Sequence, residues 1–210
     1  MDQNPINIRF LYDTKVKEVL VATLAAAFFF TIPVSALAEN EDFNEYVVKA
    51  GFLYSFTKFI DWPEEKSKIK DNGKFNLCFF GENPFGNILN NLAKKRKFKG
   101  ADLIIKENPP SDSLKKCHIL FVPKPYGNFL RSLLTIIGKT PILVVTEEDG
   151  LIYQGSGINF VIKGGGKNQI RFQINRKAVE HGGLWISSEL LKLGISKWED
   201  EYANLKRSPH

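Results

Sequence analysis

The 210 residues are 43% apolar and 25% charged, with a formal net charge of +6. That composition excludes a wholly disordered or collagen-like chain. Two cysteines exclude a disulfide-dense miniprotein and any all-cysteine zinc site, which needs four thiolates. The length is that of one ordinary domain rather than two.

The chain opens on a targeting signal. Val19 to Val34 is a nearly unbroken apolar run, preceded by Arg9, Lys15 and Lys17 and followed by Ala36-Leu37-Ala38. Positive flank, apolar stretch and small-x-small site, in that order, are the parts of a secretory signal peptide. The alternative is an uncleaved membrane anchor, for which a run of about sixteen is short against the roughly 20 residues of a spanning helix. Cleavage after Ala38 is predicted, so residues 1–38 are read as signal peptide and 39–210 as one domain. The segment removed carries three basic and three acidic residues, and 39–210 keeps the charge of +6. An exported basic protein meets anionic lipid, acidic polymers or acidic partners more readily than nucleic acid, and a solvated lysine-rich surface is the plainer reading of the charge. The dense cluster Lys94-Lys95-Arg96-Lys97 lacks the interleaved aromatics of a single-strand platform.

Phe43 to Ile60 reads as a core helix, ended by Trp62-Pro63. At about 100° per residue, Val48, Phe52, Leu53, Phe56, Phe59 and Ile60 form an apolar stripe, and Lys49 falls inside it. Either its stem packs while the ammonium reaches water, or it is a pairing or anion-binding lysine. Phe75 to Phe80 is a buried strand, and Asn83-Pro84 opens a helix to about Lys94. Ala101 to Ile105 and Ile119 to Val122 are further strands, with Pro109-Pro110 blocking extension of the first. Asn128 to Ile137 is a helix ending at Gly138, and Ile142 to Thr146 a fourth strand. Ile158 to Ile162 and Gln169 to Ile174 flank three glycines and read as a hairpin, and Ser187 to Leu193 as a short closing helix. The alternation predicts an α/β fold. Its central sheet is mainly parallel or mixed, with helices on both faces, a C-terminal hairpin and the closing helix.

Export makes a Cys78–Cys117 disulfide the default, since oxidised cysteines persist outside the cytosol. It requires the segments Phe75 to Phe80 and Ile119 to Val122 to lie close together. No CxxC motif points to a redox thiol.

Catalytic motifs fail on inspection. Gly164-Gly165-Gly166-Lys167 has Val161 and Asn168 where a phosphate loop needs Gly and Ser or Thr. Gly155-Ser156-Gly157 has Gln154 and Ile158 where a nucleophile elbow needs glycines. His118, His181 and His210 show no metal-ligand spacing. No catalytic residue, metal or cofactor is predicted. In parallel sheets ligands bind beyond the carboxyl ends of strands, where Gly81 to Gly86, Pro123 to Asn128 and Thr146 to Gly150 gather as a candidate pocket or docking rim. Glu82, Asn83 and Tyr126 are its candidate contacts, with Lys49 from the first helix. Asn159, Arg171 and Asn175 are polar positions in strand-rich sequence, suited to structural hydrogen bonds or to ligand contact.

Six stretches in order carry a resemblance: VKAGFLYSFTKFIDWP from Val48, LCFFGENPFGNIL from Leu77, CHILFV from Cys117, ILVVTEEDG from Ile142, GSGINFVIKGGGKNQIRFQIN from Gly155 and SSELLKLG from Ser187. Together they resemble the YfiR-like family of bacterial periplasmic regulators. The resemblance implies a small α/β periplasmic domain that binds an inner-membrane diguanylate cyclase and restrains cyclic di-GMP synthesis, often as a dimer, without catalysis. It also implies that Cys78 and Cys117 are the family's structural disulfide. Some members carry a second cysteine pair near Glu147 to Gly157, which this chain lacks, so redox control through that bridge does not transfer. Ser156 interrupts the paired glycines usual before Ile158. The competing reading is a small-molecule-binding sensor domain, or a partner that is another membrane sensor protein.

Overall fold

The computed structural model describes residues 39–63, 73–163 and 169–195. The chain divides into units at 1–41 and 42–210, the first described only at 39–41. In chain order the elements are α1 (Glu39–Phe59), β1 (Ile60–Asp61), β2 (Lys74–Phe79), α2 (Ile88–Lys95), β3 (Asp102–Glu107), α3 (Ser111–Leu114), β4 (Ile119–Val122) and α4 (Leu130–Ile137). There follow β5 (Leu143–Thr146), β6 (Ile158–Lys163), β7 (Gln169–Ile174), α5 (Arg176–His181), β8 (Trp185–Ile186) and α6 (Ser188–Leu193). Short 3-10 segments at Lys124–Phe129 and Leu151–Gln154 precede α4 and β6.

Six strands form the central sheet in the order β3-β2-β4-β5-β6-β7, all parallel except the β6–β7 pair. Successive side chains on a strand point to opposite faces, and both faces of this sheet are covered. Leu77, Phe79, Ile119, Phe121, Leu143 and Val145 join one core with Phe56 of α1, Leu89 of α2, Val179 of α5 and Leu190 of α6. Cys78, Leu120, Val122 and Val144 join the other with Leu114 of α3 and Leu133 of α4. The fold is therefore three-layered α/β/α, and the short strands β4 and β5, buried on both faces, are continuous apolar runs for that reason.

Several predicted elements change form. The turn expected at residues 164–168 lies outside the described residues, while the antiparallel pairing it would join is present from Ile158↔Ile174 to Lys163↔Gln169. Pro84 begins a turn and α2 starts only at Ile88, with the Phe85 N–H bonded to Asn83 Oδ1 at 3.0 Å. The helix expected from Asn128 begins as a 3-10 segment before α4. α5 and the two-stranded β1–β8 sheet carry no apolar period long enough to announce them.

Cys78 and Cys117 are bonded, with Cα atoms 5.9 Å apart. Cys117 lies between α3 and β4 rather than in a strand, and Cys78 stands opposite Leu120 in the ladder. The bridge thus ties β2 to the segment entering β4 under the second core. His118 follows it, buried, with Nδ1 accepting the Asn76 N–H at 2.8 Å and its ring stacked on Phe75 at 4.7 Å.

Candidate functional site

The buried face of α1 is rotated from the predicted stripe. Lys49, Ala50, Leu53, Phe56, Thr57 and Ile60 are buried, whereas Val48 is 38% exposed. Counted from Val48 at about 100° per residue, the buried positions centre near 130°. Lys49, at about 100°, sits close to the middle of that face. Its ammonium does not reach water: Nζ bonds Glu147 Oε2 at 2.6 Å and also the Glu45 carboxylate one turn earlier on α1. The Lys49 and Glu147 side chains are each 4% exposed.

Glu147 is the hub of this cluster. It directly follows β5, and its Oε1 also accepts the Tyr46 hydroxyl and the Lys124 backbone N–H, both at 3.2 Å. The Lys49 ammonium lies 4.6 Å from the Tyr46 ring centre and 5.9 Å from that of Phe160, a cation–π environment that lowers the cost of burying the charge. One carboxylate thereby clasps α1 to the carboxyl ends of β4 and β5. A buried pair of this kind fixes geometry more surely than it adds net stability, because two charges have been taken out of water.

The same sheet edge holds the topological switch point. β2 leaves through α2 on one face toward β3, and its neighbour β4 leaves through α4 on the other face toward β5. Between strands that diverge in this way, doubly wound sheets bind ligands. Here the crevice is filled from within. A β-carbon at Gly81, where φ is +100°, would lie 2.1 Å from the Tyr126 ring, and one at Gly127 would lie 1.9 Å from Glu148 Oε2. Tyr126 meets Phe80 edge-on at 6.1 Å, while Phe85 packs on Phe121 and on Tyr46, each at 5.1 Å. The space in which these loops would hold a small molecule belongs to the protein's own aromatic rings. Gly81→Ala is expected to destabilise by about 1–3 kcal/mol, since both the left-handed backbone and the Tyr126 ring oppose a side chain. Urea denaturation checks it, and a loss under about 0.5 kcal/mol would show that Tyr126 does not seal the crevice.

The predicted site residues separate into two groups. Lys49, Glu82, Asn83 and Tyr126 come together at the carboxyl edge. Glu82 is exposed, Asn83 caps the turn before α2, and Tyr126 is half-buried. Phe129, 45% exposed and 5.4 Å from Phe80, adds an apolar position to that rim. Asn159 is buried one register step from Glu147: the Thr146 hydroxyl donates to its Oδ1 at 2.6 Å, and its amide donates to Gln173 Oε1 at 3.3 Å. Ser156 joins this network, donating to the Ile158 carbonyl at 2.7 Å, so the residue that interrupts the glycine pair is absorbed by hydrogen bonding. Arg171 is exposed in mid-β7. Asn175 stands at the opposite sheet edge, where Oδ1 caps α5 by accepting the Ala178 N–H at 3.0 Å and Nδ2 donates to the Ile152 carbonyl at 3.1 Å.

Glu147 escaped the sequence reading because 98 residues separate it from Lys49. A partial signal was present in the spacing of Glu45 and Lys49, four apart on one helix, which favours a pair. Among the described residues, no group of three or more His, Cys, Asp or Glu side chains is arranged to hold a metal ion. Among the same residues, no helix is long and apolar enough to cross a membrane.

Residues 46–195 match the model of a family described as YfiR/HmsC-like. Curated proteins yield no match. A solved structure, the crystal structure of a conserved domain protein from Vibrio cholerae O1 biovar El Tor, is 12% identical, with a TM-score of 0.42. That likeness covers 62% of this chain and 57% of the other.

Proposed function

Because this chain belongs to the YfiR/HmsC-like family, whose members are periplasmic regulators of cyclic di-GMP signalling, we propose that it is an exported, non-catalytic regulator that restrains a membrane-bound diguanylate cyclase. The observation that carries this reading is the span of the family match, which takes in α1 from Tyr46, both cores and the disulfide. Residues 1–38 act as the signal peptide, removed after Ala38, and 39–210 work in the periplasm as one domain. Two copies act together as a homodimer, as the resemblance implies.

Restraint works by population shift. The regulator binds the inactive arrangement of the cyclase's periplasmic part more tightly than the active one, and an envelope signal that weakens binding releases it. The rim at the carboxyl edge, with exposed Glu82, half-buried Tyr126 and exposed Phe129, is the docking surface this reading assigns. A crevice already filled by aromatic rings presents a firm surface, and protein interfaces favour aromatic anchors of this kind. The clasp of Lys49, Glu45 and Glu147 holds α1 in place beside that rim.

Deleting the gene is expected to raise cellular cyclic di-GMP and surface-attached growth. The tagged protein is expected to retain a diguanylate cyclase from detergent-solubilised membranes. An unchanged cyclic di-GMP level under conditions of expression would overturn the reading, and recovery of a sensor kinase in place of a cyclase would reassign the partner.

A further inference from the structure

A second feature lies at the opposite, amino-terminal edge of the sheet. An open cleft of about 990 Å³ runs between the end of α4 with its connection to β5, the residues just before β6, and α5. Its size falls at the upper end of the range of small-molecule sites, roughly 300–1,000 Å³. The floor is apolar, made by Leu134, Ile137, Ile142 and Val179. The charged or chargeable groups around it are Lys139, Lys177 and His181, together with the Tyr153 phenol, and among the described lining residues there is no aspartate or glutamate. The nearest carboxylate in sequence, Glu180, is bonded to Arg176 Nε at 2.6 Å and does not line the cleft. No such pairing neutralises Lys139 or Lys177 among the described residues.

The walls are tied together before any ligand arrives. Asn175 joins the cap of α5 to the Ile152 carbonyl, its own N–H bonds the Gly157 carbonyl at 2.9 Å, and the Gly157 N–H bonds the Val144 carbonyl at 3.0 Å. Binding there would cost little ordering of the protein. An apolar floor under a rim carrying two cations that no described residue pairs favours a molecule with an apolar body and an acidic head, since a neutral ligand forgoes the charge contacts and an inorganic anion forgoes the floor.

We propose that this cleft binds a small organic anion with an apolar body, its acidic group held by Lys139 and Lys177. The site is separate from the docking rim, and its occupancy is read on the isolated protein, so failure of one assignment leaves the other standing.

The test uses pyrenebutyrate and its neutral counterpart pyrenebutanol as fluorescent probes, titrated against the secreted chain by anisotropy. The acid is expected to bind saturably and about five- to tenfold more tightly than the alcohol, the preference expected of two partly screened charge contacts. The double variant Lys139→Gln/Lys177→Gln, at two exposed positions, is expected to remove that preference and leave alcohol binding unchanged. Ala178→Trp, which projects bulk from α5 into the cleft, is expected to abolish binding of both probes. If that variant does not fold by circular dichroism, Thr135→Trp on the α4 wall makes the same steric test. Equal binding of acid and alcohol, retention of the acid preference without the two lysines, or binding that survives a cleft-filling tryptophan in a folded variant would each overturn the assignment.

Discussion

Replacing Lys49 with methionine is expected to lower the unfolding free energy by about 3–5 kcal/mol, because it strands the Glu147 carboxylate without its counter-charge in a site from which water is excluded. The size of the effect comes from the charge left behind, since methionine fills most of the space of the lysine stem. Two details support the upper part of the range. The Glu147 side chain is 4% exposed, and its remaining partners, Tyr46 and the Lys124 N–H, donate hydrogen bonds but carry no formal charge. Glu45, at 21% exposure, lies nearer to water and tolerates the loss better. The double variant Lys49→Met/Glu147→Gln is expected to recover most of the stability, since the amide oxygen still accepts from Tyr46 and Lys124 while no buried charge is left over. Guanidinium denaturation of the three proteins measures both effects. A single variant within about 1 kcal/mol of the parent would mean that α1 is held by its apolar contacts and that the ion cluster is incidental. The same series bears on function. If the double variant folds as the parent does and still captures the membrane partner proposed above, the clasp positions the rim and makes no partner contact of its own.

Removing the disulfide is the second large effect. The bridge closes a separation of 39 residues, for which the chain-entropy account gives about 4 kcal/mol of stabilisation through the unfolded state. For a domain of this size each kcal/mol corresponds to about 2–4 °C, so reduction, or Cys78→Ala/Cys117→Ala, is expected to lower Tm by about 10 °C. Differential scanning calorimetry with and without reductant checks this, and a fall of less than about 3 °C would show that the bridge constrains a region already ordered in the unfolded chain. Because both cysteines join the core under α3 and α4, the loosening should centre on the segment entering β4. Amide exchange would then rise first near His118, whose ring and carbonyl tie β2 and Trp62 together.

The inner strands β4 and β5 were legible because each is a short apolar run with a proline close to one end, and burial on both faces leaves no other pattern open to them. Ile119–Val122 is the clearest case, predicted to the residue. The first helix was legible in extent but misread in orientation. Its apolar residues nearly encircle it, so the apolar stripe could be drawn around Val48 as readily as around Leu53. The choice was made by Glu147, far along the chain, which lets a lysine occupy the inner face. Short elements such as α3, α5 and β8 were missed for a different reason. α3 and β8 are too short to show a period, and α5 buries only Val179, so none displays an apolar pattern; neighbours already in place hold such pieces, as the Phe59 carbonyl does by accepting the Ser187 N–H at 2.9 Å.

What the sequence alone determined is local in origin: alternation of strand and helix, two cysteines placed next to apolar runs and an ordered set of family motifs. Each can be read without knowing which residues meet. Only the tertiary structure decided what stands at the two edges of the sheet. One edge, where the parallel topology predicts a ligand crevice, is sealed by Tyr126 and its neighbours and clasped by Lys49 and Glu147. The other is left open, rimmed by Lys139 and Lys177. Both outcomes depend on side chains tens of residues apart arriving at one point, and such meetings follow from strand order and register, which pairwise burial of the two sheet faces sets and no local pattern records.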